Sequence, residues 1–321
     1  MTELSPPAAM AEAPSTASRW RKARRKAWRD RFLYLLVLPG LAYFIVYRIA
    51  PMLGMVIAFQ DYSPFLGFTG SEWVGFKHFA TLFDSAEVVR VLWNTLYLSF
   101  LQILFSFPAP ILLALLLNEV RHQAFKRLIQ SIVYLPHFLS WVIVVGISMI
   151  FLRTHGFING FLHTAFGMEK PIDFLIDPVF FRPLLILQVI WKEIGWGTII
   201  FLAALAGIGP ELYEAAIVDG AGRWRRMWHI TLPGLRTTIV ILLILRLGQV
   251  LDSGFEQIFL MLNSFNSSIG NVLDIYVYTK GIMQSDYSFA TAVGLFKGVV
   301  GLILVLGANR LAKRFGEEGV Y

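Results

Sequence analysis

The sequence predicts an all-α membrane protein with six transmembrane helices. Apolar residues make up 56% of the 321-residue chain and charged residues 15%, against about 25% charged in ordinary globular chains. Mean hydropathy is +0.63, more apolar surface than a soluble protein of this size could hide. The apolar residues also fall into six long runs, at 32–58, 91–117, 128–151, 183–208, 235–262 and 288–308. About 20 residues cross a hydrocarbon core, so the longer runs must tilt, kink or protrude.

Residues 1–18 are rich in Ala, Pro, Ser and Thr, lack periodicity and read as disordered. A basic run follows, Arg19, Arg21, Lys22, Arg24, Arg25, Lys26, Arg29 and Arg31, interleaved with Trp20 and Trp28. Because it abuts a hydrophobic span, it fits a cytoplasmic anchor on anionic headgroups better than a nucleic-acid arm, and no nucleic-acid partner is expected. The apolar segment Phe32–Ala58 is too long for a cleaved signal peptide and has no evident cleavage site. The domain reading is a basic tail at 1–31, a transmembrane domain at 32–308 and a C-terminal tail at 309–321. Pro39, Pro51, Pro108 and Pro110 lie in or near spans, where neighbouring helices can satisfy the freed carbonyls.

Charge sets the orientation. With the N-terminus in the cytoplasm, eighteen Lys and Arg fall in cytoplasmic loops and tails and six on the opposite side. Both termini are therefore expected inside. The external loops, 59–90, 152–182 and 263–287, contain aromatics and turn formers and could either cap the bundle or receive a binding protein.

Several chemistries are absent. The chain has no Cys, which removes disulfides, Cys-ligated zinc and thiol catalysis. It has no Gly-x-x-x-x-Gly-Lys-Ser/Thr phosphate loop, no His-Glu-x-x-His and no Gly-x-Ser-x-Gly. The chain is read as a non-enzyme without cofactor, and any ATP hydrolysis must come from another chain. The six His are scattered and read as packing or interfacial residues.

Charges inside spans are costly and default to functional hypotheses. Lys192 and Glu193 lie in the fourth run, Arg246 in the fifth and Lys297 in the sixth. At 1.5 Å per residue, half of a 30 Å core is roughly ten residues, so the three cations could approach one level near the midplane. The structural alternative is mutual neutralisation of Lys192, Glu193, Arg246 and Asp252, with Lys297 facing a water-filled gap.

Between the fourth and fifth runs, at 209–234, lies a polar, basic, helix-prone segment. Its core is Glu214-Ala-Ala-Ile-Val-Asp219-Gly-Ala-Gly222-Arg223, followed by Ile230-Thr-Leu-Pro233. Glu214, Ala215 and Ala216 should open a helical turn. Gly220 and Gly222 should permit a bend or close approach, and Pro233 should hold Leu232 extended before a fresh helix. This pattern resembles the EAA loop of permease subunits in binding-protein-dependent ABC importers, with Met227 where Phe is usual.

The resemblance implies a type I importer permease fold. It also implies a coupling helix, made by Glu214, Ala215, Ala216, Asp219, Gly220, Ala221, Gly222 and Arg223, that docks on the ATPase. Further stretches, including Trp73-Val-Gly-Phe76 and Tyr134-Leu-Pro-His-Phe-Leu-Ser-Trp141, look like the carbohydrate branch that imports complex oligosaccharides. Within it, the chain is similar to the first membrane subunits of alginate importers, over essentially residues 32–315.

The implied partners are a second homologous permease, two ATPase subunits carrying ATP and Mg, and an extracytoplasmic solute-binding protein. The implied location is the inner membrane, in contact with lipid. The pathway residues carried over are Lys192, Glu193 and Trp196, then Arg246, Gln249 and Ser253, with Trp196 one turn from Lys192 as a sugar-ring platform. The substrate is expected to be an oligosaccharide, alginate or another uronate chain. A neutral oligosaccharide, or a secondary transporter working without ATPase, is the alternative.

Overall fold

The computed structural model describes residues 26, 28–314, 316 and 319. Residues 1–18 and most of the basic run lie outside the described residues. The chain divides into two compact units between Val56 and Ile57. In the first, α1 (Arg31–Phe44) contains Pro39 and has no buried side chain. It continues through a π-turn at Ile45–Ile49 and a short helix at Ala50–Leu53. Apolar residues on every face with none buried suit a helix whose solvent is lipid.

The second unit begins with an antiparallel ribbon pairing Gln60–Asp61 with Glu72–Trp73. There follow α2 (Lys77–Asp84), α3 (Ala86–Leu101), α4 (Pro108–Glu119), α5 (Gln123–Tyr134), α6 (Trp141–Leu152) and α7 (Phe157–Phe166). The long helix α8 (Pro178–Ala206) leads to α9 (Pro210–Val218) and α10 (Arg223–Arg226). The unit ends with α11 (Arg236–Gly248), α12 (Phe255–Met261), α13 (Leu273–Tyr278) and α14 (Tyr287–Arg314). Among the described residues five helices are long and apolar enough to cross a membrane. They become six if Arg223–Gly234 and Arg236–Gly248, bent by 53°, form one span. α14 continues through Arg314, so the first residues of the expected C-terminal tail are helical.

α8 starts where the sequence says a helix can: the Asp177 side chain accepts from Val179 N at 2.9 Å, and Pro178 fills the first turn. It then packs closely on two neighbours because two positions lack a side chain. A Cβ at Gly195 would stand 2.0 Å from the Val133 carbonyl oxygen of α5, and one at Gly197 2.7 Å from Pro110 of α4. A similar close approach joins α11 to α14, where a Cβ on Gly301 would meet the Gly248 carbonyl oxygen at 2.6 Å. Small residues at helix crossings are how membrane helices gain packing contact without a hydrophobic driving force.

Two expected spans are discontinuous. The run 128–151 is not one helix: α5 ends at Tyr134, a 3₁₀ turn occupies Leu135–Phe138, and α6 starts at Trp141. Pro136 has no N–H to extend the α5 ladder, and Ser140 restarts the helix by accepting from Ile143 N. The run 235–262 unwinds at 249–254, between α11 and α12, with Gly254 at φ +89°. Its backbone groups are recovered by other elements. Ser99 Oγ donates to the Val250 carbonyl, and Ser253 N donates to Asp274 Oδ2 at 3.2 Å. Irregular backbone at membrane depth is tolerated only with such internal partners.

Candidate substrate pathway and coupling segment

Glu214, Ala215 and Ala216 lie in the middle of α9 rather than at its start, since Pro210 already opens the helix. The helix ends in a Schellman cap: Gly220 N donates to Ile217 O at 3.0 Å and Ala221 N to Ala216 O at 2.8 Å. Gly220 has φ +73°, so its requirement is backbone conformation; no atom of this chain crowds a Cβ there or at Gly222. Asp219 is the residue just before this turn, and Arg223 opens α10 facing Glu119 at 3.9 Å across an exposed pair.

Leu232 is helical at φ −67°, ψ −44°, not extended as the following Pro suggests. A π-turn at Met227–Thr231 absorbs the proline, with Leu232 N reaching back five residues to Met227 O. The bend falls one step later, at Leu235. Tyr213 Oη and Thr231 Oγ1, 3.1 Å apart, tie α9 to the π-turn. The outer surface carries exposed apolar side chains, Val218 at 87% and Trp224 at 74%.

Upstream and downstream of this segment, α8 and α11 together with the α3–α4 junction enclose a recess of about 310 Å³. Glu193, Trp196, Arg246 and Gln249 all line it, with Gln102. Arg246 donates to Gln102 Oε1, a neutral acceptor. Among the described residues no carboxylate forms an ion pair with it. Glu193 is well supplied, with His137 Nδ1 at 2.8 Å and Lys192 Nζ at 3.6 Å.

Lys192 and Ser253 do not line the recess. Lys192 is buried, donates to the His137 carbonyl at 2.6 Å and lies 5.6 Å over the Trp141 ring. Ser253 is 1% exposed. Lys297 is held between Asp252, at 2.6 Å, and Asp274. The three cations therefore occupy three separate settings. The neutralisation network differs in part: Lys192 and Glu193 do pair, but Asp252 bonds Lys297, which lies between two acids and faces no open gap.

Residues 106–317 match the family described as binding-protein-dependent transport system inner membrane component. The chain belongs to this family. It is a permease with the type I ABC importer fold, similar over nearly its whole length to permeases of carbohydrate importers. Protein LplB of Bacillus subtilis is 56% identical over 91% of this chain and 92% of its own length. The polygalacturonan/rhamnogalacturonan transport system permease protein YteP of the same organism is 53% identical over 98% and 99%. A chain in the crystal structure of a bacterial alginate ABC transporter, in complex with an alginate pentasaccharide-bound periplasmic protein, is 42% identical. It superposes with a TM-score of 0.84 over 92% of this permease and 99% of that chain.

The permease uses residues that sequence reasoning passed over. Gln102 stands beside Arg246, and Asp274 supports the unwound segment, both from elements far away in sequence. His137 was grouped with the scattered histidines, yet its ring stacks on Trp196 at 4.6 Å with 4° between planes. The signal was available in the Leu-Pro-His-Phe stretch, where Pro136 marks a break facing α8. On the exposed ribbon, Lys77 Nζ donates to Asp61 at 2.9 Å. That bond holds the Asp61 carboxyl below its ordinary range.

Proposed function

We propose that this permease is the membrane subunit of an ATP-driven importer of uronate oligosaccharides. The observation that carries the reading is Arg246 in the recess, bonded to a neutral amide, beside an aromatic platform at Trp196. A uronate presents a pyranose face for the indole and a carboxylate for the guanidinium, a charge-assisted pairing that a neutral sugar does not offer. The named cargoes of two similar proteins, polygalacturonan/rhamnogalacturonan and alginate, support an acidic substrate.

In this reading α9 and the turn at Asp219–Arg223 dock on the ATPase through Glu214, Ala215, Ala216, Asp219, Gly220, Ala221, Gly222 and Arg223. Two ATPase subunits supply ATP and Mg chemistry, a second permease completes the pathway, and a solute-binding protein delivers the sugar from outside. The chain sits in the inner membrane with both termini in the cytoplasm. ATPase closure drives transport only if it changes the relative energies of the inward- and outward-open states. The α9–α11 segment, with its π-turn and bend, is the element placed to convert one into the other.

The test is uptake by the complex reconstituted with its partners. Uronate oligosaccharides should be taken up in an ATP-dependent way, and Arg246→Gln should lower that uptake about tenfold, the loss of one charge-assisted contact. Equal uptake of neutral and acidic oligosaccharides by the native complex would defeat the acidic assignment.

A further inference from the structure

Lys192, Glu193 and Trp196 all converge on one residue from another element, His137, in the 3₁₀ turn between α5 and α6. Its carbonyl accepts from Lys192 Nζ at 2.6 Å. Its Nδ1 is 2.8 Å from Glu193 Oε2, and a carboxylate accepts only, so the hydrogen sits on Nδ1. Its ring lies parallel to the Trp196 indole at 4.6 Å. One face of that indole is thereby covered, while Trp196 remains half-exposed and lines the recess.

We infer that His137 is a specificity-determining positioning residue with two separable jobs. Its ring holds the Trp196 plane as a platform for a pyranose, and its Nδ1–H engages Glu193, the acid of the recess. With Glu193 so engaged, Arg246 is the charge a passing carboxylate meets. Without that bond, Glu193 keeps only the Lys192 ammonium at 3.6 Å on Oε1, and its freed Oε2 stands in the recess and repels the same carboxylate. The imidazole ring thus serves sugar shape, and the imidazole nitrogen serves sugar charge. This inference rests on the recess being the sugar pathway.

The experiment compares uptake of a uronate oligosaccharide with uptake of its methyl ester, which has the same rings and no charge, in the reconstituted importer. His137→Phe keeps a ring against Trp196 and loses the bond to Glu193. It should lower the preference for acid over ester about tenfold while leaving ester uptake near native. His137→Gln keeps a donor and loses the ring. It should depress both substrates in parallel and preserve the preference. Glu193→Gln added to His137→Phe should restore the preference, because the freed carboxylate oxygen no longer carries charge. Native preference in His137→Phe, equal loss of both substrates in both His137 variants, or no rescue by Glu193→Gln would each overturn the inference. Arg246→Gln separates the two levels. If it abolishes the preference while His137→Phe does not, only the role of His137 falls. If it too leaves the preference native, the pathway assignment falls with it.

Discussion

The two long helices flanking the coupling segment solve the same problem in opposite ways. α8 runs 29 residues without interruption and carries its polar side chains to partners on other elements. Lys192 reaches a carbonyl of the α5–α6 turn, and Thr198 Oγ1 reaches the Pro110 carbonyl of α4 at 3.3 Å. α11 stops after 13 residues and unwinds, and it is the neighbours that reach in to its backbone, from Ser99 on α3 and Asp274 on α13. A continuous helix satisfies its own backbone and is specified locally; a broken one exists only once its neighbours are in place. The first recess wall is thus rigid by construction, and the second is conditional on tertiary contacts.

That difference can be broken at the rigid side first. Gly195→Val should have the largest effect, because a Cβ at that site lies 2.0 Å from a backbone oxygen that no rotamer change moves aside. The cost should exceed the roughly 3 kcal/mol at the upper end of ordinary overpacking, and the purified permease should lose its cooperative thermal transition. Gly294→Ala, with open space around it, is the silent control on α14.

The conditional side comes next. Lys297→Met leaves Asp252 and Asp274 facing each other beside the unwound segment. It should destabilise the permease by about 2 kcal/mol, less than breaking a fully buried pair, because Lys297 and Asp274 are partly buried and Asp252 is exposed. Asp274→Asn in the same background should recover part of that loss, read as the midpoint of thermal unfolding. An additive double variant would separate Lys297 from the support of the break.

Gly220→Ala should have the smallest effect on stability. The side chain would meet open space, so only the left-handed backbone at φ +73° resists it, about 1 kcal/mol. Its consequence should be seen in coupling: ATP hydrolysis proceeding without uptake, while the amount of inserted permease stays near native. An unchanged ratio of uptake to hydrolysis would show that the α9 cap geometry is irrelevant to docking.

Legibility in the sequence followed the same division. Composition and run length gave the membrane class, and most of the continuous α8 was readable from its apolar length, though it starts at Pro178, five residues before the expected run. The Gly220 turn was readable too, because a helix cap is local. The breaks at 135–140 and 249–254 were not, since each falls inside a longer apolar run and distant side chains help make it stable. Glu193, Trp196, Arg246 and Gln249, which the resemblance grouped, line one recess, whereas Lys192, grouped with them, lies outside it. Residues three and four apart share a face. In α8, however, that face is divided between the recess and the α5–α6 turn, and Lys192 falls on the turn's side. Lys297 looked isolated because its partners lie 23 and 45 positions upstream.

The most direct test of the recess as the sugar pathway uses two positions in the unwound segment. The chain has no Cys, so single cysteines can be read without background. Gln249 is exposed and lines the recess, whereas Ser253, four residues on, is 1% exposed and does not line it. In the reconstituted importer, Gln249→Cys should react with a water-borne thiol reagent, and turnover of a uronate oligosaccharide should slow that reaction. Ser253→Cys should stay unlabelled in both conditions. Labelling at 253 that substrate suppresses, with labelling at 249 indifferent to substrate, would put the sugar on the other side of the segment and contradict the account.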